Sequence, residues 1–333
     1  MATLRADQIL QITPEGLYCP PGDFHIDPLR PVPRALVTHA HADHARPGHG
    51  AVLASRETLD IMAIRYGENF TAQRQIAEGE IRLGEVTVSF HPAGHILGSC
   101  QIRITPRSGP VIVASGDYCR LPNPVCPPFE PLACDVFITE ATFGLPVFRH
   151  PDPRGEIAKL LKSLEDFPER PHLIGAYPLG KTQRVIALLR EAGYDAPIGL
   201  HGAMQRLCDY HQARGIELGA LTPATEPGGA QIILAPPSAF ASPWVHRFSD
   251  PVLGYASGWM GVRARARQRR VELPLVLSDH VDWPELTTTL TELSPQEVWV
   301  THGTEVGVMR WCELQGIASR PLRLIGYDEE VEA

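Results

Sequence analysis

Three histidines and an aspartate crowd into the stretch His39–His44, directly behind the apolar run Ala35–Val37. The apolar run predicts a buried strand, and alternating residues such as His39 and His41 project from extended backbone to the same side. Imidazole and carboxylate groups are ligands of zinc and similar divalent metals. A lone histidine here would be expected only to line the turn, but this H-x-H-x-D-H cluster predicts a metal site.

Three later segments each end an apolar run on a further ligand-type residue. These residues are His95 in "AGHILGS", Asp117 in "SGDY" and His302 in "VTHG". A catalytic metal takes about three protein ligands and keeps one position open. The first motif and these later residues together exceed that number, so the sequence predicts two metal ions.

Length and composition predict a layered protein with a sizeable core. The chain has 333 residues, of which 44% are hydrophobic, enough for one large domain or two ordinary ones. Its 32 prolines and 29 glycines favour a fold with many turns and strands over a helical bundle. The strands predicted in the first part are Ala35–Thr38, Glu85–His91, Gln101–Thr105, Val111–Ala114 and Asp135–Thr139.

The pattern changes after Gly144 to alternating helix and strand. The segments "RGEIAKLLKSLEDF" and "KTQRVIALLREAG" have helical apolar spacing and flank the strand-like "HLIGAY". Strands at Leu273–Leu277 and Glu297–Thr301 then resemble the first part again. We therefore predict an α/β class chain in which a strand-rich domain, residues 1–148 and 255–333, is interrupted by an α/β insert at 149–254.

Charge and cysteine usage limit the classes of partner. No apolar run approaches the roughly 18 residues of a membrane span, the N-terminus lacks the layout of an export signal, and the seven cysteines contain no C-x-x-C pair. We expect a cytoplasmic protein with no membrane partner. The formal net charge of −8 argues against nonspecific coating of nucleic acid, but the basic run Arg263–Arg270 provides a local candidate surface.

The order of these motifs resembles that of the metallo-β-lactamase fold. In addition, "ITEATFG", "PLGKTQ" and "SDHVDWPEL" are similar to the additional motifs of the β-CASP nucleases, which carry an α/β insert in that fold. Over essentially the whole chain the likeness is to the bacterial ligase-associated DNA exonucleases within this group. The resemblance implies an αββα sandwich with an inserted domain, and hydrolysis of phosphodiester bonds.

The resemblance also assigns the metal ligands to two positions. The ligands are His39, His41 and His95 at the first position, Asp43, His44 and His302 at the second, and Asp117 as the bridge. Asp27 would brace the ligand loop from outside, with Asp23 as the alternative residue for this role. The histidine-rich set suits zinc, and its carboxylates also permit manganese.

His280 in "SDHVDW" is the residue that the resemblance assigns to the phosphate and the leaving oxygen. An imidazole suits this role because its ordinary pKa is near 6.5. Glu140 would orient or charge that imidazole; alternatively it is an ordinary acid at a strand end. Asp117 and Asp43 complete the expected catalytic set.

Candidate contacts to nucleic acid are Lys181, Ser257, Gly258, Arg263 and Arg265. Lys181 precedes a predicted helix, so its ammonium and the helix N-terminus are suited to a phosphate, although a solvated lysine is equally expected there. Trp259 would stack on a base or pack internally. The arginines would follow a phosphate backbone or form a solvated face.

We expect a two-metal hydrolase that acts as a DNA exonuclease in repair, beside a DNA ligase, on single strands or strand ends held in the cleft between the two parts. The alternatives are an RNA-processing nuclease of the same superfamily, a small-molecule hydrolase and a nucleic-acid-binding subunit without catalysis. The insert and "SDHVDW" argue against a small-molecule hydrolase, and the filled ligand positions argue against a non-catalytic subunit. The sequence does not decide between DNA and RNA.

Overall fold

The computed structural model describes residues 3–224, 230–268 and 271–322. They form two compact units. Within the described residues the first unit comprises 3–122, 126–149 and 280–322, and the second comprises 123–125 and 150–279. Both units contain helices and strands, which confirms the α/β class. No helix in the described ranges is long and apolar enough to cross a membrane.

The first part of the first unit contains two helices and eleven strands. In chain order they are α1 (Ala6–Ile9), β1 (Gln11–Thr13), β2 (Gly16–Cys19), β3 (Phe24–Ile26), β4 (Arg34–Leu36), β5 (His49–Ala54), α2 (Arg56–Tyr66), β6 (Thr71–Ile76), β7 (Ile81–Leu83), β8 (Val86–Pro92), β9 (Cys100–Pro106), β10 (Ile112–Ala114) and β11 (Val136–Ala141). Strands β1 to β6 form one sheet in that order. All five predicted strands of this part are present, with different ends.

The second unit is built around a parallel sheet of six strands. Its elements are α3 (Pro153–Asp166), β12 (His172–Gly175), α4 (Lys181–Glu191), β13 (Ile198–Leu200), α5 (Gly202–Ala213), β14 (Leu221–Pro223), β15 (Ile232–Ala235), β16 (Val252–Ala256), α6 (Arg263–Gln268) and β17 (Leu273–Leu275). The strand order is β14-β13-β15-β12-β16-β17. One face of the sheet packs on α3, α4 and α5, because Ile174, Leu234 and Leu275 share a core with Leu160 and Val185.

The second unit ends later in the chain than the sequence predicts. The predicted insert ends at residue 254, inside β16. Strand β16 pairs with β12, and β17 pairs with β16, so both complete the sheet of the second unit. The second unit therefore extends to Asp279. The sequence pattern misses this because "ELPLVL" predicts a strand without indicating which sheet it joins.

The chain then returns to the first unit and completes its second sheet. The returning elements are α7 (Trp283–Leu293), β18 (Glu297–Gly303), α8 (Glu305–Gln315) and β19 (Ala318–Pro321). The strand order of this sheet is β19-β18-β11-β10-β9-β8-β7. In this sheet β10 is parallel to β11, β11 is parallel to β18, and β18 is parallel to β19.

Alternating side chains show how the first unit is layered. In β11, Val136 and Ile138 pack in a core shared with the first sheet, whereas Phe137 faces the opposite way and packs with α7 and α8. Successive residues of a strand point to opposite faces, so a strand buried on both sides is apolar throughout. A separate core joins α2 to the outer face of the first sheet. The layers of the first unit are therefore helix, sheet, sheet, helix.

A buried ion cluster lies within the second unit, at the start of α4. The Lys181 ammonium is 2.8 Å from Oδ2 of Asp279 and donates a hydrogen bond of 2.9 Å to the Leu277 carbonyl. Arg184, one turn further on, lies 2.8 Å from Oδ1 of the same carboxylate and donates to the Ser278 carbonyl. The Lys181 and Asp279 side chains are only 7% and 5% exposed, so this cluster fixes the segment after β17.

We predict that Lys181→Met destabilises the protein, because the change leaves the buried Asp279 carboxylate with less compensation. Breaking a buried pair costs about 3–5 kcal/mol, and we expect the lower end because Arg184 remains. Lys162→Met is a matched control, since Lys162 pairs with Asp166 but is 64% exposed. Urea unfolding followed by circular dichroism should show a clear loss for the first variant only. Equal midpoints for the two variants would contradict this role of Lys181.

Candidate metal centre

The ligand-type residues of the second sheet gather at one of its edges. Strands β10, β11 and β18 are parallel, and β8 runs in the same direction because β9 is antiparallel to both of its neighbours. Carboxyl ends of strands that share a direction lie at the same edge of a sheet. His95, Asp117, Glu140 and His302 all lie at or just after these ends. The His39–His44 turn follows β4 of the facing sheet.

Asp117 lies at the centre of this group, with imidazole nitrogens on both of its oxygens. The distances are 3.4 Å from Oδ2 to His39 Nε2, 3.7 Å from Oδ2 to His95 Nε2, 2.9 Å from Oδ1 to His302 Nε2 and 3.5 Å from Oδ1 to His44 Nε2. Nδ1 of His41 lies 3.0 Å from Nε2 of His95. The structure thus brings together two sets of ligand atoms that share one carboxylate.

Asp43 stands at the edge of the second set. Its Oδ2 is 3.7 Å from Nε2 of His44, and its side chain is 29% exposed. It does not belong to the groups of ligand atoms that lie within 4.8 Å of one another. Its assignment as a ligand therefore has weaker geometric support than those of His44 and His302.

Local backbone features place these side chains. Gly116 has φ +57°, and a Cβ there would lie 2.8 Å from Thr38, so this approach of the loop before Asp117 requires glycine. The Ser99 hydroxyl accepts hydrogen bonds from the backbone N–H groups of His95 and Ile96 and closes the loop after β8. These contacts explain the glycine of "SGDY" and the serine of "GHILGS".

Asp27 makes hydrogen bonds to the His39–His44 turn and to the residue that precedes it. Its Oδ2 accepts a hydrogen bond of 2.8 Å from His44 Nδ1 and one of 2.6 Å from the Thr38 hydroxyl. Thr38 Oγ1 lies 3.0 Å from His39 Nδ1. Fixing Nδ1 directs the opposite nitrogen, Nε2, toward Asp117. Asp23, the alternative, instead accepts a hydrogen bond from the Tyr18 hydroxyl.

Burial and crowding shift the proton equilibria of this group. Burial alone would raise the pKa of Asp117, but the imidazoles of His44 and His302 outweigh it and hold the pKa well below the ordinary value. Burial, together with the charge of His44, lowers the pKa of His39, which favours the neutral imidazole. Burial also opposes the charge of His44, but Asp117 and Asp43 raise its pKa to about 10. Asp117 is thus the carboxylate that the imidazoles of the centre share.

The donor set fits divalent metal ions. Two ligand atoms at about 2.1 Å from a tetrahedral ion lie about 3.4 Å apart, and the nitrogen and oxygen atoms around Asp117 have separations of this size. In addition, Nε2 of His39 is buried and makes no hydrogen bond of normal geometry within the described residues. A buried imidazole nitrogen that faces a carboxylate without such a bond is typical of a metal ligand. His39, His41, His95 and Asp117 fit one ion, and His44, His302 and Asp117 fit another.

Glu140 and His280 form a pair beside this centre. Nδ1 of His280 lies 2.9 Å from Oε2 of Glu140 and 4.0 Å from Oδ2 of Asp117. The Glu140 side chain is fully buried, whereas His280 is 10% exposed. Asp117, Glu140 and His280 also form a third group of convergent ligand atoms. Glu140 and His280 are thus in direct contact, and the catalytic roles assigned to them stay predictions.

The predicted nucleic-acid residues lie in the second unit and have varied surroundings. Lys181 is neither solvated nor at the surface, since its ammonium is held in the buried ion cluster described above. Ser257 and Gly258 are buried, and the Ser257 hydroxyl accepts a hydrogen bond from the Trp259 N–H. Burial therefore gives these three residues internal roles in the second unit.

The arginine run divides into exposed and packed residues. Arg263 is exposed on α6, whereas the Arg265 guanidinium stacks over the Trp259 ring at 3.8 Å. Trp259 therefore packs against a side chain of its own unit. Arg269 and Arg270, the last two residues of the run, lie outside the described residues.

Two threonines of the site were not identified from the sequence. Thr38 connects Asp27 to His39, and Thr142 donates a hydrogen bond of 2.6 Å to Oε2 of Glu140. Each stands within two residues of a predicted site residue, and this proximity is the only sequence signal for either. Their roles depend on hydroxyl directions that only the folded backbone determines.

Comparisons with known proteins give relatives of two kinds. No family model matches the chain. A protein named probable DNA ligase from Opitutus terrae is 26% identical over 329 residues, which cover 95% of this chain and 31% of that protein. A ribonuclease of Thermus thermophilus is 28% identical over 207 residues, which cover 52% of this chain and 46% of that protein. The chain thus spans about a third to a half of the length of these relatives.

Among solved structures, a crystal structure of a protein of unknown function from Enterococcus faecalis is similar in fold. The TM-score is 0.51 at 15% sequence identity, over 80% of this chain and 74% of that one. At this identity the likeness concerns the fold alone. The sequence relatives named above bear on chemistry instead.

Proposed function

We propose that this protein is a two-metal phosphodiesterase that cleaves nucleic acid, with the metallo-β-lactamase fold and a β-CASP insert. The observation that carries the proposal is the single buried carboxylate of Asp117, with imidazole nitrogens on both oxygens and the Glu140–His280 pair beside it. The ribonuclease relative supports nuclease chemistry. The helix, sheet, sheet, helix layering of the first unit supports the fold.

DNA is the substrate we favour, as single strands or strand ends, with exonuclease action in repair beside a ligase. The support is the relative named as a probable DNA ligase, in which a region of almost the full length of this chain belongs to a longer polypeptide. Such a fusion is expected when cleaving and joining ends serve one process. RNA cleavage is the second candidate, because the Thermus thermophilus relative is named a ribonuclease.

The first unit supplies the chemical groups for hydrolysis. Divalent metal ions, when bound, polarise the phosphate and activate water. His39, His41, His95, His44, His302 and Asp117 would hold them, with Asp43 at the edge of the second position. Zinc suits this set, and the carboxylates also permit manganese.

His280 acts on the leaving group. Water adds to phosphorus and releases a proton to solvent, while the bond to the leaving oxygen breaks and that oxygen takes a proton from His280. A carboxylate can only accept, so Glu140 receives the Nδ1–H of His280 and thereby favours proton delivery from Nε2. No covalent bond between enzyme and substrate is needed.

Cleavage assays on matched DNA and RNA strands test the proposal, with Asp117→Asn as the inactive variant. We expect wild-type protein with added metal to shorten DNA from its ends. Asp117→Asn keeps the side-chain size but removes the bridging charge, so it should lose cleavage and part of its metal content. Elemental analysis and thermal unfolding accompany the assay. Full metal content and wild-type activity in this variant would contradict the two-metal assignment.

His280→Ala separates a role in proton delivery from a role as metal ligand. We expect turnover on nucleic acid to fall by roughly 10²–10⁴-fold, the usual contribution of a general acid, while metal content stays at the wild-type level. A p-nitrophenyl phosphodiester, whose leaving group needs little protonation, should lose much less rate. If metal content falls with activity, His280 is a ligand instead.

Arg263→Gln tests whether the exposed part of α6 contacts a phosphate backbone. Losing one contact should reduce the slope of log affinity against log salt by about 0.7–0.9, depending on the strand form. Arg310→Gln is the matched control, since Arg310 is 61% exposed on α8 in the first unit. Anisotropy titrations with a chelator present, over a range of salt, give both slopes. An unchanged slope for Arg263→Gln would identify α6 as a solvated face.

A further inference from the structure

Glu140 leaves the regular ladder of its strand. In the pairing of β11 with β18, Thr139 is opposite Val300 but Ala141 is opposite Gly303, so the register shifts at Glu140. Two residues of β18 therefore lie opposite Glu140, so the extra residue of this bulge belongs to β18 and not to the strand of Glu140. The strand ends come close together here, because a Cβ on Gly303 would lie 2.2 Å from the Ala141 carbonyl oxygen. The backbone therefore places the Glu140 carboxylate but does not determine its rotation.

The rotation is determined by hydrogen bonds to both oxygens. Oε1 accepts a bond of 2.9 Å from the Tyr118 N–H, and Oε2 accepts bonds of 2.6 Å from the Thr142 hydroxyl and 2.9 Å from His280 Nδ1. The terminal torsion of a glutamate is broad, so a carboxylate held at one oxygen turns readily. The Tyr118 and Thr142 bonds together hold the plane in which Oε2 faces His280.

The backbone of His280 is attached to the same point. The Val281 N–H donates a hydrogen bond of 2.8 Å to the carbonyl of Tyr118, whose own N–H binds Glu140. The main chain thus fixes the backbone position of His280, and Glu140 fixes the rotation of its imidazole ring. Of the two bonds that orient the Glu140 carboxylate, the Tyr118 bond comes from the backbone and the Thr142 bond comes from a side chain. A substitution at Thr142 can therefore remove the hydroxyl bond without changing the backbone bonds.

We propose that Thr142 is a positioning residue, whose hydroxyl locks the Glu140 carboxylate so that it holds the His280 imidazole with Nδ1–H toward Glu140. This inference rests on the proposed function for its catalytic consequence. Valine has the shape of threonine without the hydroxyl, and serine keeps the hydroxyl. Thr142→Val and Thr142→Ser are therefore a matched pair.

The first measurement is independent of activity. Nitrogen-15 histidine spectra of the zinc-loaded protein, with His280 assigned by its loss in His280→Gln, report the Nδ1–H proton and its exchange with water. We expect a slowly exchanging Nδ1–H in the wild type and in Thr142→Ser, and a faster or absent one in Thr142→Val. Identical exchange in the wild type and Thr142→Val would overturn the inference.

The second measurement is the kinetic consequence. Loss of a group that supports a site residue typically costs 10- to 100-fold, so kcat on nucleic acid should fall by about that factor in Thr142→Val. KM and metal content should stay unchanged, and Thr142→Ser should restore the rate. An equal loss in both variants would show that the methyl packing of Thr142 matters, and would overturn the role of the hydroxyl.

The proposed function and the role of Thr142 can be contradicted independently of each other. A wild-type protein that cleaves no nucleic acid overturns the proposed function, while the exchange comparison still decides whether Thr142 locks the pair. An active wild type whose rate and exchange are both unaffected by Thr142→Val overturns the Thr142 inference alone.

Discussion

The buried carboxylate of Asp117 is the interaction on which the rest of the centre depends. Transferring a charge out of water is costly unless other groups compensate it, and Asp117 is almost completely buried. The compensation comes from imidazoles on both of its oxygens, which are drawn from two strand ends and one turn. Asp117 thus accounts for the convergence of histidines that are far apart in the chain, and each of its oxygens faces imidazoles that could hold a metal ion.

The sheets make this convergence possible. Strands buried on both faces carry apolar residues throughout, so their polar residues are displaced to the strand ends. When strands share a direction, those ends lie at one edge. In the first unit β8, β10, β11 and β18 share a direction, and the turn after β4 faces their common edge. Hydrogen bonds of Asp27 and Thr38 then restrict the rotation of His44 and His39, and Ser99 closes the loop that carries His95.

The second unit shows that burial decides the role of a charged residue. A lysine just before a helix suits phosphate binding by sequence, yet the Lys181 ammonium is held by Asp279 and a carbonyl inside the unit. Charge type and position in a helix do not reveal whether water or another side chain surrounds the group. The same holds for Ser257, whose hydroxyl caps a short turn, and for Arg265, which stacks on Trp259.

Much of the candidate metal centre could be predicted from local sequence, because its histidines and Asp117 stand soon after apolar runs and few residue types can bind a metal ion. The strands β8 to β11 could also be predicted from their apolar residues. The short strands β1 to β3 and β7 were not, because none of them contains three consecutive aliphatic residues, unlike the equally short β10. Tertiary structure alone decided that β16 and β17 join the sheet of the second unit, since strand pairing is a long-range choice. It also decided which oxygen of Asp117 faces which histidine, and that Thr142 holds Glu140, because these depend on side-chain directions that sequence spacing does not specify.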